Sequence, residues 1–97
     1  MVQLTVEEGK LICNFSGRLD TVSCMETEKD VIAKVEEAPM PVVFDLQQVD
    51  YIASMFLRIC IRIAKEVGTE NFSVINVCPL VKKVFKVAGF DKQITIL

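Results

Sequence analysis

The strongest constraint on the fold of this chain is an alternation between two hydrophobic periods. Val42-Val43-Phe44-Asp45-Leu46 is a short apolar run, the mark of an inner strand buried on both faces. After the loop Gln47 to Ala53, Met55, Ile59, Ile63 and Val67 recur at helical spacing. Phe56, Cys60 and Ala64 lie beside them, and Arg58, Arg62, Lys65 and Glu66 fall on the opposite face. Phe72 to Val77 returns to a strand pattern. Leu80, Val84, Phe85 and Ala88 then form the apolar face of another helix, and Gln93 to Ile96 reads as a last strand. A chain that switches period in this way builds β-α-β units, with parallel strands joined by right-handed crossovers.

The first part of the chain adds a hairpin and one more helix. Val2 to Val6 alternates apolar and polar residues, Glu7-Glu8-Gly9-Lys10 is a turn with a glycine available for positive φ, and Leu11 to Phe15 returns. Gly17 breaks that strand. Ser23-Cys24-Met25-Glu26 fits a capping box, predicting a helix from about Ser23 to Glu37 that stops before Pro39 and Pro41. Met25, Val31, Ile32 and Val35 are expected on its core face. Gly68 and Gly89 are placed to end the second and third helices, Pro79 opens the third at its first turn, and Phe90 is expected to fold back onto it. The expected architecture is α/β, β-β-α-β-α-β-α-β, with a mixed, mostly parallel sheet in a single domain spanning 1–97.

Composition narrows the chemistry. The chain has no His, which removes the usual general base and the usual triad partner. Its four cysteines, Cys13, Cys24, Cys60 and Cys78, form no Cys-x-x-Cys pair, so no metal site is expected and they read as small buried hydrophobes of a reducing compartment, or in one case as a helix cap. The net charge of −2 is spread along the chain, and no basic patch predicts nucleic-acid binding. Lys82, Lys83 and Lys86 share helical spacing and read as a solvated face. No loop carries the glycines of a phosphate cradle, so neither a nucleotide nor another cofactor is expected. The start MVQLTVEEGK lacks a basic region followed by an apolar stretch, and no run is long enough to cross a bilayer; a soluble, cytoplasmic protein is expected. Asp20, Asp45 and Asp50 could gather at the carboxyl edge, but as caps and loop ligands rather than as acid–base pairs.

Open α/β sheets place their sites beyond the carboxyl ends of the strands. Two loops qualify, that from Leu46 to Ser54 and that from Val77 to Cys78-Pro79. Ser54 has two readings. One is an N-cap whose hydroxyl bonds an early helix amide. The other is a phosphate acceptor, since an added anion is favoured at the start of a helix. Met55 and Phe56 follow, about 100° apart on the helix. Either both are core, or one is partly exposed as a patch for a protein partner.

Three motifs carry a family resemblance. Gly17-Arg18-Leu19-Asp20 is similar to the Gly-x-Leu-Asp element of STAS domains. Val42-Val43-Phe44-Asp45-Leu46 with Val49-Asp50-Tyr51-Ile52 resembles the third strand and its loop. Cys78-Pro79-Leu80-Val81-Lys82-Lys83-Val84-Phe85-Lys86-Val87-Ala88-Gly89-Phe90 resembles the third-helix signature. The match covers essentially the whole chain, which resembles the bacterial anti-sigma factor antagonists.

The resemblance implies a non-enzymatic binding module. Antagonists of this type carry Asp-Ser-Ser-Gly-Leu after the third strand. The first serine is phosphorylated by a partner that is both anti-sigma factor and serine kinase; the unphosphorylated form binds that partner and frees the sigma factor. Ser54 falls on that serine and Leu57 on the leucine, whereas Ala53 replaces the Asp, Met55 the second Ser and Phe56 the Gly. The resemblance implies partner contacts at Asp50, Tyr51, Ile52, Ala53, Met55 and Phe56, with Ser54 as the phosphorylation candidate. The alternative it leaves open is a STAS adaptor without a phosphoswitch, a signalling scaffold or the small subunit of a lipid-transport ABC system. There Ser54 would be only a cap and Phe56 an anchor in a partner's pocket.

Overall fold

The computed structural model describes residues 2–97. Along the chain run β1 (Val2–Glu7), β2 (Lys10–Ser16), α1 (Thr21–Glu37), β3 (Val42–Gln48), α2 (Ser54–Val67), β4 (Phe72–Ile75), α3 (Pro79–Val87) and β5 (Thr95–Ile96). Single 3-10 turns lie at Thr69–Asn71 and Phe90–Lys92. This is the expected order. The strands lie side by side in chain order, β1 antiparallel to β2 and every other neighbour parallel. The opening hairpin closes in two residues: Glu7 pairs with Lys10, and Glu8 and Gly9 take φ of 52° and 76°. Two successive positive φ values match the right-handed twist of the strands they join.

Sequential strand order with right-handed crossovers places all three helices on one face of the sheet. Burial follows this geometry. Leu11, Cys13 and Phe15 of β2, Val42, Phe44 and Leu46 of β3, and Phe72 and Val74 of β4 are buried, while Asn14, Val43, Asp45 and Ser73 look onto the uncovered face. The expectation that β3 is buried on both faces is therefore corrected: one-directional winding leaves the second face without helices. Four phenylalanines form the centre of the core. Phe15 meets Phe44 edge-on at 4.8 Å and Phe56 at 5.1 Å, and Phe44 meets Phe72 at 4.9 Å. Such pairs add roughly 0.5–1.5 kcal/mol each beyond the area they bury.

Several local expectations shift. The first helix starts at Thr21, two residues before the expected Ser23, because Asp20 is its N-cap: the Asp20 carboxylate accepts from the Ser23 N–H at 2.9 Å. Ser23 is thus the capped residue rather than the cap. The buried stripe becomes Cys24, Thr27, Val31 and Val35, which turns Met25 outward to 55% exposure. Thr27 sits in the core with its hydroxyl donating to the Cys24 carbonyl. Strand β4 ends at Ile75, short of Val77, because Asn76 takes a left-handed φ of 56°. The last strand begins at Thr95, with Gln93 still in the preceding turn.

Helix α3 departs most. Only Val81 and Phe85, one turn apart, reach the core. Leu80, Val84 and Ala88, expected to face inward, are exposed. A nine-residue helix at the end of the sheet covers it with a single i, i+4 pair. Phe90 does fold back as expected, its ring 6.1 Å from that of Phe85, after Gly89 takes a left-handed φ of 79°.

Candidate functional site

At the carboxyl edge of the sheet, three loops are tied to one another by backbone and side-chain bonds. The β2–α1 loop runs beside the β3–α2 loop as a short parallel ladder. The Leu19 N–H donates to the Tyr51 carbonyl at 3.2 Å, and the Ala53 N–H donates to the Leu19 carbonyl at 2.9 Å. Leu19 and Val49 are buried beneath the edge. The β4–α3 loop is joined at two points. The Cys78 thiol donates to the Val49 carbonyl at 3.7 Å, and the Asn76 amide donates to Asp45 Oδ1 at 3.1 Å. The same Asp45 oxygen accepts from the Gln47 N–H, so this carboxylate works as a loop ligand.

On this frame the expected site residues separate into surface and core. Asp50 is exposed and Tyr51 is 38% exposed, its ring stacked under the Arg18 guanidinium at 3.8 Å. Ser54 is the first residue of α2 and is exposed, and Met55 is half-buried. Ala53 is half-buried and occupies the N-cap position, with no side chain able to bond the helix amides. The reading of Ser54 as the cap is thereby corrected: the helix begins one residue earlier than that role requires, so Ser54 is its first residue and is exposed. Ile52 is buried, and Phe56 is fully buried against Phe15 and Phe44. The Phe56 side chain therefore serves the core and does not reach the surface as a partner anchor.

Two features escaped the sequence reading. One is Arg18, whose partner Tyr51 lies far along the chain and is brought near only by the Leu19–Ile52 bridge. The other is an apolar groove of about 380 Å³ one turn beyond Ser54, formed by Leu57 of α2 and by Leu80, Val84, Val87 and Ala88 of α3, with Lys83 at its side. The helical period of α3 was visible, but its outward stripe was read as the inward one.

The carboxyl edge presents Asp50, Tyr51 and Ser54 as exposed residues, with Ser54 at the start of α2. The described residues hold no cluster of metal-ligating side chains. The strongly shifted thiols lie elsewhere, in the core. Burial pushes Cys13 up to about 12 and raises Cys24 and, further, Cys60, so none of these three offers a thiolate nucleophile. No described helix is long and apolar enough to cross a membrane.

The sheet carries its helices on one face and leaves a mixed apolar and polar surface at its carboxyl-edge loops. The STAS domain family model matches residues 1–97, and the chain belongs to that family. A curated protein of Bordetella bronchiseptica named as an anti-sigma factor antagonist, BtrV, is 29% identical over 93 residues, covering 92% of this chain and 80% of that protein. The crystal structure of an anti-sigma factor antagonist from Mycobacterium paratuberculosis is similar with a TM-score of 0.88 and 26% identity, over 99% of this chain and 83% of that one. The Bacillus cell fate determinant SpoIIAA in its phosphorylated form superposes with a TM-score of 0.72 at 15% identity, over 100% of this chain and 91% of that one, a likeness of fold. The chain is an anti-sigma factor antagonist-like STAS protein, of a family that works by binding rather than by catalysis.

Proposed function

We infer that this protein regulates transcription by binding an anti-sigma factor that is also a serine kinase, and that phosphorylation of Ser54 releases it. The observation that carries this reading is the position of Ser54: an exposed residue that opens α2, three residues after Tyr51 of the Arg18–Tyr51 pair and three before Leu57 of the apolar groove. A partner that covers both features also covers the hydroxyl. Transfer of the ATP γ-phosphoryl group to Ser54 Oγ, with loss of the hydroxyl proton, puts nearly two negative charges inside that contact. Desolvation and repulsion then oppose binding.

The contacts proposed are Asp50, Tyr51, Ala53 and Met55 with Arg18 and Leu57, while Ile52 and Phe56 hold the loop and helix from beneath. Departures at Ala53, Met55 and Phe56 leave the acceptor hydroxyl in place, and because Phe56 points inward it does not obstruct a partner. The partner, the switch and a cytoplasmic setting belong together in this reading.

The test is capture from an ATP-depleted lysate of the source organism by wild type, Ser54→Ala and Ser54→Glu, followed by addition of ATP and magnesium. The reading expects a serine kinase of the anti-sigma type on wild type and Ser54→Ala, and its absence from Ser54→Glu. ATP should release it from the wild type alone, with phosphate found on Ser54. Retention of scaffold or transporter subunits equally by all three forms would replace this reading with that of an adaptor.

A further inference from the structure

A wide concavity lies between α3 and the end of the sheet and does not include Ser54. It encloses about 750 Å³ between α3 and β5. Ile96 forms part of its floor: it pairs with Val74, which is buried under the helices, so its side chain points to the helix-covered side. Val87, 80% exposed, and Pro79 supply the apolar wall. Lys82, Lys83 and Lys86 stand on the rim, with Asp91 offsetting one of the three charges.

Strand β5 is the open edge of the sheet. The Leu97 N–H donates inward to the Val74 carbonyl at 2.8 Å, so the N–H and C=O of Ile96, one residue earlier, face outward, with no strand beside them among the described residues. An unpaired edge beside an apolar floor and a cationic wall specifies its occupant. Backbone pairing requires an extended segment, the floor requires an apolar side chain, and the lysines require carboxylates on either side of it.

We propose that the α3–β5 groove binds an extended acidic peptide segment of a partner protein, which adds as a sixth strand along β5. On the groove side, at alternate positions, such a segment carries an acidic, an apolar and an acidic residue. This surface shares Lys83 and Val87 with the Leu57 groove but does not include Ser54, and its test needs no phosphorylation and no partner kinase.

The probe is a blocked pentapeptide, Glu-Thr-Val-Thr-Glu, titrated into nitrogen-15-labelled protein, with Lys-Thr-Val-Thr-Lys as its control. The expected result is a set of amide shifts confined to residues 82–87, Ile96 and Leu97, saturating with a dissociation constant on the order of 1 mM. Hydrogen exchange at the Ile96 amide should slow. Joint Lys83→Glu and Lys86→Glu substitution, at exposed positions that leave the core untouched, should weaken binding roughly tenfold or more. The proposal is overturned if the acidic peptide causes no shifts, if the lysine peptide shifts the same amides equally, or if dodecyl phosphate perturbs the groove while the peptide does not.

Discussion

The Arg18 guanidinium rests 3.8 Å from the centre of the Tyr51 ring, linking the β2–α1 loop to the β3–α2 loop above the buried Leu19–Ile52 bridge. Among the described residues no carboxylate forms an ion pair with Arg18. The guanidinium thus lies over the ring on an exposed residue, where its N–H groups can meet a partner. An exposed cation–π pair contributes about 0.5–1 kcal/mol. Arg18→Ala and Tyr51→Leu should each lower unfolding stability by roughly that amount, and the double substitution should lower it by less than their sum, measured by urea denaturation. Both single variants should weaken capture of the partner kinase. Undiminished capture by both would remove this pair from the interface.

Adjacent residues of α2 should respond in opposite ways. Phe56 is fully buried among aromatic rings, so Phe56→Ala should cost about 3–5 kcal/mol, seen as a large fall in the urea midpoint. Met55 is half-buried at the site, so Met55→Ala should cost roughly 1 kcal/mol and act mainly on partner binding. Equal losses of stability would contradict this division of labour.

The contrast between these two residues also marks how far the sequence could be read. Element order followed from the change of hydrophobic period, because burial against a sheet imposes that period whatever the partner. Adjacent Met55 and Phe56 could not be assigned, since rotation of α2 about its axis is set by the rings of Phe15 and Phe44 that it meets in space. The rotation of α3 was misread for a similar reason: Val81 and Phe85 form as good an apolar pair as Leu80 and Val84, and only contact with the sheet decides between them. At α1 both Asp20 and Ser23 can cap, and the choice falls to Asp20 because the Leu19 ladder fixes where the strand-like backbone ends. The Arg18–Tyr51 pair has no local signature at all.

The start of α2 lacks two stabilising features, a side-chain cap at Ala53 and any acid in its first turn. Ala53→Asp should raise stability by about 1 kcal/mol by bonding an early helix amide. Ser54→Glu should raise it by about 0.3–1 kcal/mol through the helix dipole. The second substitution is also the one expected to abolish partner capture, so stability and binding should move in opposite directions. A Ser54→Glu variant that unfolds at lower urea than wild type would show that its loss of binding reflects damage to the fold.

The buried thiols set a pH dependence of stability. Burial pushes Cys13 from 9.0 up to about 12 and raises Cys24 and Cys60 in the same direction. Between the unfolded and folded values the unfolded chain has released thiol protons that the folded chain keeps. The unfolded state then binds fewer protons, and stability falls as pH rises. Below about pH 9 both states hold the protons and the effect is absent. For Cys13 the loss should approach about 1.4 kcal/mol per pH unit above that point. The clean measurement is a difference. The urea stability of Cys13→Ala is compared with wild type across this window. At neutral pH the variant should be the less stable, because it leaves a small cavity beneath the helices. Its deficit should shrink as pH climbs, because it has lost the proton that the folded wild type must retain. A deficit that stays constant through this range would mean that Cys13 ionises equally in both states, and that water reaches the thiol behind the β2–β3 pair.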